Sequence, residues 1–147
     1  MSPLAVGSPT PPLPLPGVGP TALFFYKVTC PVCQLAAPKV EAFERAYPGR
    51  IHGIGQDEPG KLSAFAERFG MTFPSVSDGP DYPLSQVFGI RVVPTMALVD
   101  RGVVAGLVES WDRDGLNDLS RQLAELTGAP YSSISEPGDG LPVFRPG

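Results

Sequence analysis

The stretch Thr21-Ala22-Leu23-Phe24-Phe25-Tyr26-Lys27-Val28-Thr29-Cys30-Pro31-Val32-Cys33, continued by Gln34-Leu35-Ala36-Ala37-Pro38, decides how this chain is read. Residues 21–26 are uncharged, apolar and aromatic, and so predict a short buried strand. Residues 31–46 place Leu35, Val40 and Phe43 at helical spacing, so a helix begins where the cysteines stand. Pro31 suits a first helical position, because its missing N–H would have had no helical partner. A helix N-terminus offers free N–H groups and about half a positive charge, and both favour a thiolate at Cys30. The two residues between the cysteines form one helical turn, which brings the Cys33 sulfur within bonding reach of the Cys30 sulfur. Cys30 is then the exposed, attacking sulfur and Cys33 the inner, resolving one. Lys27 adds a candidate positive charge that tunes the thiols, unless it is simply solvated.

These are the chain's only two cysteines. Two residues apart within an α/β pattern, they read first as a redox pair. One alternative is half of a zinc site, but zinc takes about four ligands and the only further histidine or cysteine is His52. No metal is therefore expected, and His52, near Arg50, reads as a structural histidine. The other alternative is a pair of unreactive core thiols.

Outward from this junction, strand and helix signals alternate. Residues 51–55 predict a second strand. Glu58-Pro59 opens a helix with Leu62, Phe65, Ala66 and Phe69 on one face and Gly70 as its stop. Residues 73–77 predict a weak strand and residues 84–88 one or two helical turns. Residues 95–99 and 103–108 flank Asp100-Arg101-Gly102, a hairpin signal. Asp112 caps a last helix with Leu116, Leu119, Leu123 and Leu126 inward and Gly128 beyond it. The expected fold class is α/β, a central mixed sheet flanked by helices on both faces.

The 147 residues suit one domain, and 42% hydrophobic residues suffice for a core. Of 19 prolines, seven fall in residues 1–20 and four in residues 130–147. This divides the chain into a proline-rich segment 1–19, a packed domain 20–128 and a Pro/Gly-rich tail 129–147. Residues 1–18 and 132–147, without regular apolar spacing, are expected to be extended and to add little to the core. Net charge is −4 and no Lys/Arg cluster exists, which argues against nucleic acid or an anionic membrane as partner. The longest apolar runs are strand-sized. No Lys or Arg precedes Lys27 and prolines interrupt the apolar start, so no secretory pattern is expected and the expected location is cytoplasmic.

The chain resembles thioredoxin-fold proteins over about 110 residues. The resemblance rests on Cys-Pro-Val-Cys-Gln-Leu-Ala-Ala-Pro, with Pro38 five after Cys33, and on Gly89-Ile90-Arg91-Val92-Val93-Pro94-Thr95. Leu98, Gly102 and Val104 carry it into the terminal hairpin. It implies a kinked first helix and a cis-proline at Pro94 facing the attacking cysteine, with Val93, Pro94 and Thr95 presenting the substrate-binding backbone. The strand and helix at residues 51–70, with Ile54-Gly55-Gln56-Asp57 and Phe73-Pro74-Ser75-Val76-Ser77-Asp78, are similar to the TlpA/ResA and peroxiredoxin-related branch. That branch brings an acidic or polar group to the thiols from the loop after the second strand, here Asp57 or, second, Glu58. The competing reading makes either one a cap for the helix that Pro59 opens. Three positions depart from the pattern. Thr29 replaces the usual tryptophan, Phe24 the usual buried acid, and Ser110, followed by Trp111, the usual glycine. Trp111 reads as packing, or as a border of the substrate groove.

The resemblance implies a thiol–disulfide oxidoreductase that uses the Cys30–Cys33 pair without an organic cofactor. Its expected partners are a disulfide-containing protein or small thiol, and a reductase or thiol that resets it. Two other readings stay open: a thiol peroxidase of the peroxiredoxin type, and a redox-inert binding module. The first is weakened by Lys27, which stands where the peroxiredoxin motif has threonine.

Overall fold

A computed structural model describes residues 4–12 and 19–147. The expectation of an extended N-terminal segment falls partly on residues 1–3 and 13–18, which lie outside the described residues. At the centre is β1 (Thr21–Tyr26), paired in parallel with β2 (Ile51–Gly55) and antiparallel with β4 (Thr95–Asp100). Beyond them lie β3 (Ser75–Ser77), parallel to β2, and β5 (Val103–Glu109), antiparallel to β4. The sheet order is β3-β2-β1-β4-β5. A strand paired on both edges and covered on both faces leaves no place for a solvated side chain, which is why residues 21–26 form an unbroken apolar run. The register pairs Tyr26 with Gly55 and Phe25 with Thr95. It therefore brings the loops after β1 and β2 and the loop before β4 to the same end of the sheet.

Among the described residues, four helices cover this sheet: α1 (Pro31–Ala46), α2 (Pro59–Phe69), α3 (Pro83–Phe88) and α4 (Arg113–Thr127). The first three begin on prolines. Alternate β1 side chains divide the core in two. Ala22, Phe24 and Tyr26 join the larger cluster with Val40 and Phe43 of α1, Phe65 of α2 and Leu119 and Leu123 of α4. Leu23 and Phe25 join Ile54 and Phe88 on the other face, where Leu84 of α3 and Leu4 pack against them. The hairpin between β4 and β5 turns on Arg101 and Gly102, both at positive φ, as a two-residue turn of the primed type requires. This is the mixed sheet with helices on both faces expected of a thioredoxin fold.

Three expectations differ from the structure. Leu126 is 41% exposed rather than inward. It stands in the last turn of α4, one residue before the helix ends at Thr127. The N-terminal residues described are not loosely held: Gly7 N donates to Val104 O at 2.8 Å, Val104 N to Ser8 O at 2.9 Å, and Pro9 bridges Val103. They cover the open edge of β5, which would otherwise present unpaired main-chain groups.

The C-terminal tail is likewise not an extended spacer. Ile134 is 3% exposed and belongs to the larger core. Asn117 receives the N–H groups of Ile134 and Ser135 and donates to Ser135 O. Ser120 Oγ donates to Ser132 O, and Ser132 N donates to Tyr47 Oη. Farther on, β7 (Phe144–Arg145) pairs with β6 (Trp111–Asp112), a two-stranded ribbon with no sequence signature of its own. Periodicity does not reveal the tail because single side chains and main-chain bonds hold it, not a repeating apolar face.

Candidate active site

Cys30 is the N-cap of α1, with extended backbone (φ −83°, ψ 115°). Its Sγ accepts from Cys33 N at 3.2 Å, so the first turn of the helix points a donor at the sulfur where a thiolate would form. Cys30 is partly exposed and Cys33 is fully buried, and both are free thiols. Burial is the main reason the Cys33 thiol is pushed well above its ordinary pKa, and its hydrogen bond with Cys30 and the charge of Asp57 add to this. A main-chain hydrogen bond from Lys27 works in the opposite direction. The Lys27 ammonium itself lies over the Tyr82 ring, 5.9 Å from its centroid.

Asp57 approaches the pair from the loop after β2, and its Oδ2 accepts from Val28 N at 2.9 Å. It therefore ties the residue two before Cys30 to the β2 loop and does not cap α2. Glu58 holds the N-cap position of α2 through its main chain, makes no side-chain cap bond, and is exposed. Tyr26, which in the sequence reads only as strand core, is part of this neighbourhood. Its hydroxyl donates to Ser75 Oγ at 3.0 Å, and burial raises its pKa, with smaller contributions from Asp57 and Cys33. Phe24, at the position of the missing acid, is fully buried and stacks on Tyr26 at 4.8 Å. A carboxylate there would be desolvated at a cost of several kcal/mol, whereas the stacked ring adds roughly 1 kcal/mol beyond its burial. The negative charge near Cys33 comes instead from Asp57, which is only partly buried.

The loop before β4 closes the site from the other side. The Val93–Pro94 bond is cis, and Cys30 Sγ donates to Val93 O at 3.7 Å. Thr95 is buried and its hydroxyl donates to Val92 O at 2.6 Å, so it shapes the loop and does not face solvent. Next to Val92 runs an open groove of about 590 Å³, bordered by Arg91, Glu109, Ser110, Phe144 and Gly147. Arg91 and Glu109 form an ion pair across its rim at 2.6 Å. Trp111 is fully buried and donates to Pro142 O, so it packs the tail and does not border the groove. Ser110 and the tail are neighbours of this loop that the sequence does not reveal, since nothing local marks them. His52 is buried on β2, and burial lowers its pKa. Among the described residues no group of three or more His, Cys, Asp and Glu side chains is placed to hold a metal ion. Nor is any of their helices long and apolar enough to cross a membrane.

Known proteins resemble this chain in sequence and in fold. The chain is 34% identical over 84 residues to the thiol-disulfide oxidoreductase ResA of Geobacillus thermodenitrificans, which is 54% of this chain and 47% of that protein. It is 27% identical over 93 residues to the thiol-disulfide oxidoreductase YkuV of Bacillus subtilis, 58% of this chain and 62% of that one. It thus spans about half to three fifths of the length of these curated relatives. Mycobacterium tuberculosis dsbF, solved in mixed oxidised and reduced forms, superposes with a TM-score of 0.61 at 28% identity, covering 74% of this chain and 82% of that one. The profile of the AhpC/TSA family matches residues 15–106, a stretch that holds both thiols, the Asp57 loop and the Val93–Pro94 bond, and the chain therefore belongs to the AhpC/TSA family.

Proposed function

We propose that the chain is a dithiol–disulfide oxidoreductase in which Cys30 attacks and Cys33 resolves. One observation carries the reading: a partly exposed thiol caps a helix beside a fully buried thiol one turn later. The Cys30 thiolate attacks one sulfur of a substrate disulfide. A mixed disulfide forms, and the first substrate sulfur leaves as thiolate. Cys33 then gives up its proton and attacks the Cys30 sulfur, and the second substrate sulfur leaves. Two electrons pass to the substrate and the Cys30–Cys33 disulfide forms. A second thiol or a reductase returns two electrons to reset it. Val93 and Pro94 supply the backbone beside which the substrate lies. Thr95 acts as a positioning residue through Val92. Asp57, placed near both the Val28 backbone and Cys33, adds to the burial that holds the Cys33 proton on.

A peroxidase reading lacks support at one position: Lys27 stands where the peroxiredoxin motif has threonine, and its ammonium is turned to Tyr82. The test of the exchange reading separates the two sulfurs. Cys33→Ser is expected to accumulate a covalent mixed disulfide with a disulfide-bonded protein, resolved by non-reducing electrophoresis and mass spectrometry. Cys30→Ser is expected to trap little, because its remaining thiol is buried. The reverse pattern would exchange the roles. Two thiols no faster than an unfolded cysteine peptide would end the oxidoreductase reading.

A further inference from the structure

The Val93 carbonyl is approached from two sides. On one side is the Cys30 thiol, 3.7 Å away. On the other is Gly147. A Cβ built on Gly147 would fall on the Val93 carbonyl oxygen and lie 2.8 Å from Val92 Cγ2. Gly147 N donates to Ser110 Oγ at 3.0 Å, and Ser110 N donates to Pro94 O at 2.8 Å. Ser110 is thus bonded to the proline loop while its hydroxyl holds the tail. The tail follows a defined track to this point. Trp111 Nε1 donates to Pro142 O at 2.6 Å, Arg113 N donates to Val143 O at 2.9 Å, and Arg145 pairs with Trp111.

Building on the dithiol–disulfide reading, which lays a substrate backbone beside Val93 and Pro94, we propose that the chain's own tail guards this subsite, where Val93 O and Ser110 Oγ receive an extended polypeptide with a small residue at the contact. In the free protein the chain's own Pro146-Gly147 fills this subsite. Gly147 offers what a substrate backbone would offer there: an N–H for Ser110 and an α-carbon seated on the Val93 oxygen. Only a residue without Cβ fits, because the opposing atom is a backbone oxygen that cannot swing aside. A polypeptide disulfide that lays its backbone beside Val93 has to lift residues 146–147. A small disulfide with no backbone to pair reaches Cys30 without doing so. The tail therefore acts as a built-in competitor that discriminates among substrates by size.

The test is Gly147→Val in the full chain, assayed with insulin as the polypeptide disulfide and hydroxyethyl disulfide as the small one. The added side chain forces the tail off Val93. The ratio of kcat/KM for insulin to that for hydroxyethyl disulfide is expected to rise about two- to tenfold, the worth of one net hydrogen bond. As a second readout, the Gly147 amide resonance is expected to move to a random-coil position when Cys33→Ser is trapped as a mixed disulfide with an insulin chain. An unchanged or falling ratio overturns the subsite, as does a Gly147 resonance that stays in place in the mixed disulfide. A wild-type protein that reduces neither disulfide overturns the oxidoreductase reading instead, so the two failures are distinguishable.

Discussion

Cys33 carries the largest consequence of a single position. Its sulfur is fully buried, and burial, the Cys30 hydrogen bond and the Asp57 charge all hold its proton on. A resolving thiol that stays protonated cannot interfere while Cys30 makes the first attack. Asp57 contributes least of the named causes, yet it is the one that substitution can remove cleanly, since Asn keeps an oxygen for Val28 N. Asp57→Asn is expected to move the high-pH thiolate transition, followed by ultraviolet absorbance, toward lower pH, by less than burial contributes. A transition that does not move would leave Asp57 as a tether for Val28 alone. The same shift links to stability. A thiol with its folded pKa raised contributes stability that is present below the ordinary thiol pKa, about 8.5, and is lost as pH rises above it. Asp57→Asn should lose less of its stability on that alkaline limb.

Among the elements, the tail rests on Asp139. Its carboxylate accepts from Ser135 Oγ at 2.6 Å, from Leu141 N at 3.0 Å and from Glu136 N at 3.2 Å, and it meets Lys39 and Arg113 at 3.2 and 3.3 Å. The Ser135 hydroxyl, first among these, holds the carboxyl well below its usual range. The sign follows from the depressed value. The stability it contributes is present above the ordinary carboxylate pKa, about 3.9, and is lost as pH falls below it. Asp139→Asn leaves the buried Arg113 without its anionic partner. It is expected to lower the melting temperature, to flatten the loss of stability in acid, and to speed amide exchange at residues 141–147. Unchanged exchange there would show that β6 and β7 hold the tail unaided. No periodic pattern announces this element, because its anchors are three main-chain or hydroxyl donors around one carboxylate.

At the scale of the whole molecule, the core does not end with α4. Ile134 is 3% exposed and joins the larger cluster, which holds side chains of α1, α2 and α4. Truncating a buried isoleucine to alanine costs about 2–5 kcal/mol. The whole domain is held by only about 5–15 kcal/mol, so one tail residue carries a large share of the margin. Ile134→Ala is expected to lower the unfolding free energy by about 2–5 kcal/mol in urea denaturation. A loss below about 1 kcal/mol would place the tail on the surface of an independent domain, as its composition alone implies.

The sequence by itself determined the local elements around the thiols. An apolar run, a proline at a helix start and two cysteines one turn apart specify β1, α1 and the placing of the pair, because each depends only on near neighbours. The β4–β5 hairpin was legible for the same reason. What only the tertiary structure decided are the meetings of distant residues. Asp57 reaches Val28 across 29 residues, the Cys30 thiol reaches Val93 across 63, and Gly147 reaches Ser110 across 37. Sheet order and register set these meetings, by bringing three loops to one end of the sheet, and no periodicity in the chain records them.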